Sequence, residues 1–296
     1  MKNVADFFGY ARLRYEIHVR RDVELLPGPW TTDPTLQMYR FCNIHREDDK
    51  VTTWFRDNIR GPLADSPNVL LATVAFRWFN RIEMGELMKR PEVGLMEGRY
   101  NGEALKRLAL EAYPKGPWTT GAYMIKSPGG MNKIDGLNWC IDNVAKDAYH
   151  LACRVEKGET TMEGMWERLR EYPYLGDFMA YEVVTDLRFT SLLDQAPDIL
   201  TWANPGPGAA RGLARVQGLP IDAYNRHSAK DREVMIARMR ELLQHSRCEE
   251  FWPQSWPRWE MREVEHQLCE FDKYMRAKLG EGRPKQLFRP TLGTAK

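Results

Sequence analysis

Cysteine is scarce in this chain and shows no pairing pattern. The five cysteines (Cys42, Cys140, Cys153, Cys248 and Cys269) include no C-x-x-C pair, and their number is odd. That excludes a disulfide framework or a zinc knuckle and fits a reducing compartment. Long apolar runs are missing too: none approaches the roughly 20 residues that a membrane-spanning helix needs. The opening stretch MKNVADFFGYARLRYE is charged and amphipathic, unlike a secretory leader. A cytoplasmic protein with no membrane contact is therefore expected. No segment alternates polar and apolar residues over strand length, and no Gly-Lys-Ser/Thr phosphate loop occurs. The six histidines show no ligand spacing, so neither a metal nor a cofactor is expected. A surplus of one charge is lacking as well, with 43 Lys and Arg against 41 Asp and Glu. Bulk charge cannot hold a nucleic acid here, and any such contact must come from local patches.

What is present is apolar content of 43% in 296 residues, enough to bury a substantial core. Helical periodicity recurs along the chain, and the fold class read from it is all-α. Helices are expected at about 1–26, 34–45, 48–59, 67–89, 100–113, 136–156, 160–171, 229–246 and 257–279, with a Gly/Pro/Lys/Ser-rich loop at 114–135. Residues 67–89 carry the strongest pattern, with apolar positions at 70, 71, 74, 78 and 82. The expected organisation is one helical catalytic domain over 1–296. It divides into lobes of about 1–135 and 136–280, with a basic tail at 281–296 that includes Arg283, Lys285 and Arg289.

Four clusters carry chemistry. The first runs from Leu169 to Tyr181 and reads apolar-x-x-apolar-Pro-x-apolar-Gly, the pattern of a helix-hairpin-helix. There a helix ends, a glycine turn follows, and the amides of the next helix can hold a DNA phosphate. Tyr174 stands where that motif has its first glycine, and Gly176 is the second. An ordinary helical corner is the alternative. The second cluster, Tyr39 to Val51, holds Arg40, Asn43, Arg46 and Asp49. Arginine forks suit phosphate or diphosphate, whereas surface ion pairs are the plainer account. In the third, Arg77, Asn80 and Arg81 fall within one turn and Glu83 follows three residues after Asn80, a placement for a carboxylate base or for a solvated face. The fourth, Asn204 to Gly212, is a glycine-rich turn opening a helix, with Gly206, Gly208 and Arg211 as candidate anion contacts. The Trp252–Trp259 cluster reads as a core cap in preference to a base-stacking surface.

The hairpin invites comparison with helix-hairpin-helix DNA glycosylases. The lysine of their bifunctional members is Phe178 here, and Asp194 and Asp198 only flank the place of their aspartate. Taken in order, YRFCNIHREDDKVTTWF, FRWFNRIE, YPYLGDFMAYEVVTDL and PGPGA resemble the phage alpha-glutamyl/putrescinyl-thymine pyrophosphorylases, or amino acid:DNA transferases. The same pattern is similar to the helical domain of 5-hydroxymethyluracil DNA kinases. The resemblance implies a helix-hairpin-helix, glycosylase-like architecture acting in an infected bacterium on double-stranded phage DNA with modified thymine. It further implies that pyrophosphate on 5-(pyrophosphoryloxymethyl)uracil is replaced by a free amino acid or polyamine, downstream of a 5-hydroxymethyluracil DNA kinase. With no Gly-Lys-Ser/Thr loop and no ATP-binding lobe in the sequence, the likeness points to the transferase. In that frame Arg40 and Arg46, with Arg77 in support, meet the diphosphate. Glu83 or Asp49 takes the amine proton, with Asp177 and Asp186 as further carboxylates, and Asn43 and Asn80 orient substrate. Tyr174 or Trp54 stacks on the extruded base. A glycosylase acting on a modified base and a non-catalytic DNA-binding partner of a modification complex are the alternatives.

Overall fold

The computed structural model describes residues 1–121, 125–284 and 286–288. Among them there is no strand, only a single antiparallel bridge between Tyr39 and Leu287, and the all-α expectation holds. Lys285 and Arg289 of the basic tail lie outside the described residues. No described helix is long and apolar enough to cross a membrane.

In chain order the helices are α1 (Val4–His18), α2 (Pro34–Met38), α3 (Lys50–Phe55), α4 (Asn68–Phe79), α5 (Ile82–Met88), α6 (Gly102–Ala112) and α7 (Lys133–Ala145). They continue with α8 (Ala148–Cys153), α9 (Met162–Leu169), α10 (Asp177–Leu187), α11 (Pro207–Gln217), α12 (Ala229–His245) and α13 (Met261–Lys278). They form two compact units, one of Met1–Asp49 with Ala203–Lys296 and the other of Lys50–Trp202. The sequence had suggested a boundary near 135; the unit boundaries fall at 49/50 and 202/203.

The first unit is built on α13. Phe7 and Phe8 of α1 lie on its buried face and meet Trp259 edge-to-face at 5.9 Å and tilted at 5.3 Å, and Phe7 meets Phe271 at 5.6 Å. Trp252 and Trp259 are 1% and 0% exposed, so these two tryptophans are core, as their spacing suggested. Helix α11 lies very close to α13 because two of its residues are glycine. A Cβ on Gly208 would overlap the Cys269 side chain, and one on Gly212 would overlap the Leu268 carbonyl.

The second unit is built around α4, whose residues from Val69 to Phe79 are all buried. A helix apolar all round belongs in a core. The single helix expected over 67–89 is two helices. Asn80 adopts the left-handed conformation (φ 48°, ψ 48°) while its amide still reaches the Phe76 carbonyl at 2.6 Å. Asparagine tolerates that conformation and so ends α4.

Other boundaries move for similar local reasons. The helix expected over 34–45 stops at Met38, because Tyr39 is extended and the backbone bonds of Met38 and Arg40 go to Phe288 and Gln286. The opening helix leaves α geometry after His18 and continues as a π-helical turn, Val19–Val23. The stretch 136–156 is divided between α7 and α8, and 48–59 between α3 and a second π-helical turn, Arg56–Arg60. Asp198 caps α9, accepting from the Met162 and Glu163 amides at 2.7 and 3.0 Å, so this aspartate is structural.

Candidate functional site

In the second unit three of the expected residues converge. Asp186 of α10 is fully buried and accepts from Arg77 of α4 through Nε and through Nη2 at 2.8 Å. Arg60 Nη1 reaches the same carboxylate at 3.3 Å. Arg77 also donates to Asn80 Oδ1 at 2.7 Å and to Thr52 Oγ1 at 3.1 Å, and lies against the ring faces of Phe55 and Phe76. Arg77, Asn80 and Asp186 therefore form one buried assembly that ties α3, α4 and α10 together. At 1% exposure Arg77 presents almost no surface to a substrate, so its role is that of a brace.

Glu83 does not join that group. The break at Asn80 puts it in the first turn of α5, half exposed, with its carboxylate 3.1 Å from Arg81. Trp54 is occupied in packing: it stacks on Phe76 at 5.7 Å, and its indole N–H donates to Glu86 at 3.0 Å.

Residues 170–176 form a tight hairpin between α9 and α10. Leu175 is fully buried and anchors it, whereas Tyr174 is 44% exposed at φ 64°. This is the left-handed region that a glycine enters freely and a tyrosine at a cost. The position where the motif has glycine thus keeps a glycine-like backbone and carries an aromatic ring outward, 6.2 Å edge-to-face from Trp139. Gly176 is the N-cap of α10, and a Cβ added there meets nothing within 4 Å. Asp177 in the first turn is held by Arg170 Nε at 2.7 Å, and Arg170 in turn lies over the Trp166 ring at 4.2 Å.

In the first unit the cluster from Tyr39 to Asp49 is a loop that ends in a 3-10 turn, Arg46–Asp48. Its backbone is held from beneath. Arg14 donates to the Phe41 and Cys42 carbonyls at 3.1 and 3.0 Å, the Cys42 amide donates to Glu270 at 2.9 Å, and the Gln267 amide group reaches the Ile44 carbonyl at 3.3 Å. Burial pushes the Glu270 carboxyl up, but Lys273, His266 and the Cys42 amide outweigh it and leave it below its ordinary range. Asn43 Nδ2 donates to the Asp48 carbonyl at 2.8 Å. Arg40 and Asp49 are exposed, whereas Arg46 is 6% exposed.

Sequence reasoning missed several members of this loop's support. His18 lies 2.9 Å from Asp22 and 3.4 Å from Asp48. His45 packs on Tyr15 and Trp252, and burial lowers its pKa to about 4, which keeps it neutral. One signal was available: Glu263, Gln267 and Glu270 recur at helical spacing on the buried face of α13. Polar residues on a core-facing stripe need partners, and the 39–49 loop supplies some of them.

The glycine turn before α11 is likewise engaged internally. The Gly206 amide donates to Glu265 Oε1 at 3.1 Å, so a carboxylate of α13 takes the place expected for a phosphate. Gly208 serves close helix packing, and Arg211 is paired with Asp272 at 2.9 Å. Among the described residues no group of three His, Cys, Asp or Glu is placed to hold a metal ion.

No solved structure matches the chain. It is 28% identical over 233 residues to a 5-hmdU DNA kinase of Bacillus phage SP10, across 69% of this chain and 34% of that protein. The chain therefore spans about a third of the length of this curated relative. The family model described as the helical domain of 5-hmdU DNA kinases matches residues 2–283, nearly the whole chain and parts of both units, and the chain belongs to that family.

Proposed function

We propose that this protein is a DNA base hypermodification transferase that replaces pyrophosphate on 5-(pyrophosphoryloxymethyl)uracil in phage DNA with an amine from an amino acid or polyamine. The observation that carries the reading is the family match over residues 2–283. The hairpin before α10 supports it, with an outward tyrosine beside the N-terminus of that helix, an arrangement suited to a helix-hairpin-helix hold on duplex DNA.

In the reaction the amine nitrogen forms a bond to the 5-methylene carbon. The carbon–oxygen bond to pyrophosphate breaks, the diphosphate leaves with the electron pair, and a carboxylate takes the amine proton. Arg40 of the 39–49 loop, which is exposed, meets the charge that builds on the leaving group, and the buried Arg46 adds its positive field. Asp49, which is exposed in the same loop, accepts the proton. Asn43 of the same loop orients substrate; on the second unit, Tyr174 offers a stacking face for a base of the bound DNA. Arg77, Asn80 and Asp186 hold the scaffold and do not touch substrate.

A second reading has its own support. The relative in Bacillus phage SP10 is named a kinase, and the similarity lies in about a third of it. On that reading the chain is a DNA-holding module of a modification complex. One experiment separates the two. Duplex DNA carrying the pyrophosphorylated base is incubated with glycine, glutamate or putrescine, digested to nucleosides and weighed. An amine adduct formed with one pyrophosphate released supports transfer. Free base or abasic sites mean excision, and binding with no mass change under any amine means the module.

A further inference from the structure

Asp272, on α13, is 1% exposed and collects three guanidinium groups. Arg211 Nε lies 2.9 Å from Oδ2, Arg215 Nε 2.9 Å from Oδ1 and Arg276 Nε 3.3 Å from Oδ2. Arg211 and Arg215 stand one turn apart on α11, and Arg276 one turn beyond Asp272 on α13. A second carboxylate, Glu281, binds a terminal nitrogen of Arg215. Three cations thus share two anions, and the cluster keeps a net positive charge.

Arg211 and Arg215 each donate an Nε hydrogen bond to Asp272, whereas Arg276 Nε lies within ion-pair distance of Oδ2 without forming one. The terminal nitrogens of Arg211 and Arg276 have no hydrogen-bond partner among the described residues, and these side chains are 37% and 38% exposed. A buried carboxylate that holds a guanidinium through Nε, as Asp272 holds Arg211, leaves its forked end for another oxyanion and fixes its orientation before that anion arrives, which lowers the ordering cost of binding. Arg276 is drawn to the same carboxylate oxygen by charge alone.

We propose that Arg211, Arg215 and Arg276, gathered on Asp272, form a clamp for a phosphodiester of the DNA backbone. The inference rests on the reading of this chain as a DNA-acting protein and adds the place where the duplex is held. Two guanidinium forks side by side match the oxygens of one phosphate or of two successive ones, and such contacts read no sequence. With a net charge of only +2 over the chain, a pre-ordered cluster of this kind supplies locally the cation density that the composition lacks.

The test uses the full chain, unmodified duplex DNA and no amine, so it does not depend on transfer activity. Affinity is measured by fluorescence anisotropy across a salt series for wild type, Arg276→Gln, and Arg211→Gln with Arg276→Gln, with melting curves as a check on folding. The single variant is expected to flatten the log–log salt slope by about 0.9 and the double variant by about 1.8, as loss of one and two phosphate contacts requires. Lys278→Gln, a neighbouring cation on the same helix, is expected to leave the slope in place. Folded Arg276→Gln protein with the wild-type slope overturns the clamp. So does inorganic pyrophosphate that, at matched ionic strength, displaces duplex from wild type and not from the double variant, since the trio would then hold free diphosphate. Failure of the amine-transfer assay, with the slopes as expected, removes the transferase reading and leaves the clamp.

Discussion

Asp186→Ala separates a brace from a catalytic carboxylate. The wild-type carboxylate is fully buried and neutralises Arg77, with Arg60 at 3.3 Å. Removing it leaves two guanidiniums in a low-dielectric interior, 1% and 2% exposed, with their main counter-charge gone. Breaking a buried ion pair by deleting one partner costs about 3–5 kcal/mol. Cooperative units of roughly 150–250 residues lose about 2–4 °C per kcal/mol, so the melting midpoint should fall by about 6–20 °C. Thermal and urea unfolding are the assays. The triple variant Arg60→Met, Arg77→Met, Asp186→Leu supplies the converse, because replacing a whole buried ionic group by apolar residues of similar size is often neutral. It should recover most of the lost stability. An Asp186→Ala protein that melts within about 2 °C of wild type while losing DNA modification refutes the reasoning: the carboxylate would then be doing chemistry.

Four further outcomes follow from the geometry. His45, with burial as the main cause and with Asp48, Arg262, His18 and Glu260 around it, titrates near 4 when folded against an ordinary 6.5. The unfolded chain therefore binds one proton more between those values, and stability falls as pH drops through the window, by about 1 kcal/mol from pH 7.5 to 5.5. Urea midpoints at the two pH values should show this, and His45→Phe should lose that share of the pH dependence. Gly212→Ala should cost about 1–3 kcal/mol, since a Cβ there meets the Leu268 backbone, which cannot rotate away. Gly9→Ala, with open space around it, should be neutral or stabilising by about 0.5–1 kcal/mol in the same melting assay. Tyr174→Gly should relieve backbone strain of about 1–2 kcal/mol, less the entropy glycine regains on unfolding. It should also weaken DNA affinity by the roughly 1–3 kcal/mol of one stacked base. Unchanged affinity in anisotropy would take Tyr174 off the DNA surface.

The helices themselves were legible because burial imposes a 3.6-residue period, and α6, α9, α12 and α13 lie close to where that period places them. Their interruptions were not. Asn80 reads as one more polar residue on a helical face, and only its left-handed backbone, paid for by the Arg77 hydrogen bond to its side chain, turns one helix into two. That single bend decides the fate of the third cluster. It leaves Arg77 and Asn80 in the core and carries Glu83 away to pair with Arg81, so residues adjacent in sequence do not share a site.

The ionic chemistry was legible as residue types and illegible as pairs. Arg77 and Asp186 are 109 positions apart, and Arg211 and Asp272 are 61. A charge leaves no mark in the sequence of the partner it will find. What can be read is a charge in the wrong place: Asp186 lies amid the apolar run of α10, and Asp272 directly follows the core residue Phe271 of α13. Burying either carboxylate without a cation would cost several kcal/mol, so each such position demands an arginine from elsewhere in the chain. The two sites then part ways on exposure. Around Asp186 both arginines are spent, at 1% and 2% exposure, and the group can only stabilise. Around Asp272 two of the three arginines keep more than a third of their side-chain surface. Of the two buried aspartates, only that one can order cations for a ligand outside the chain.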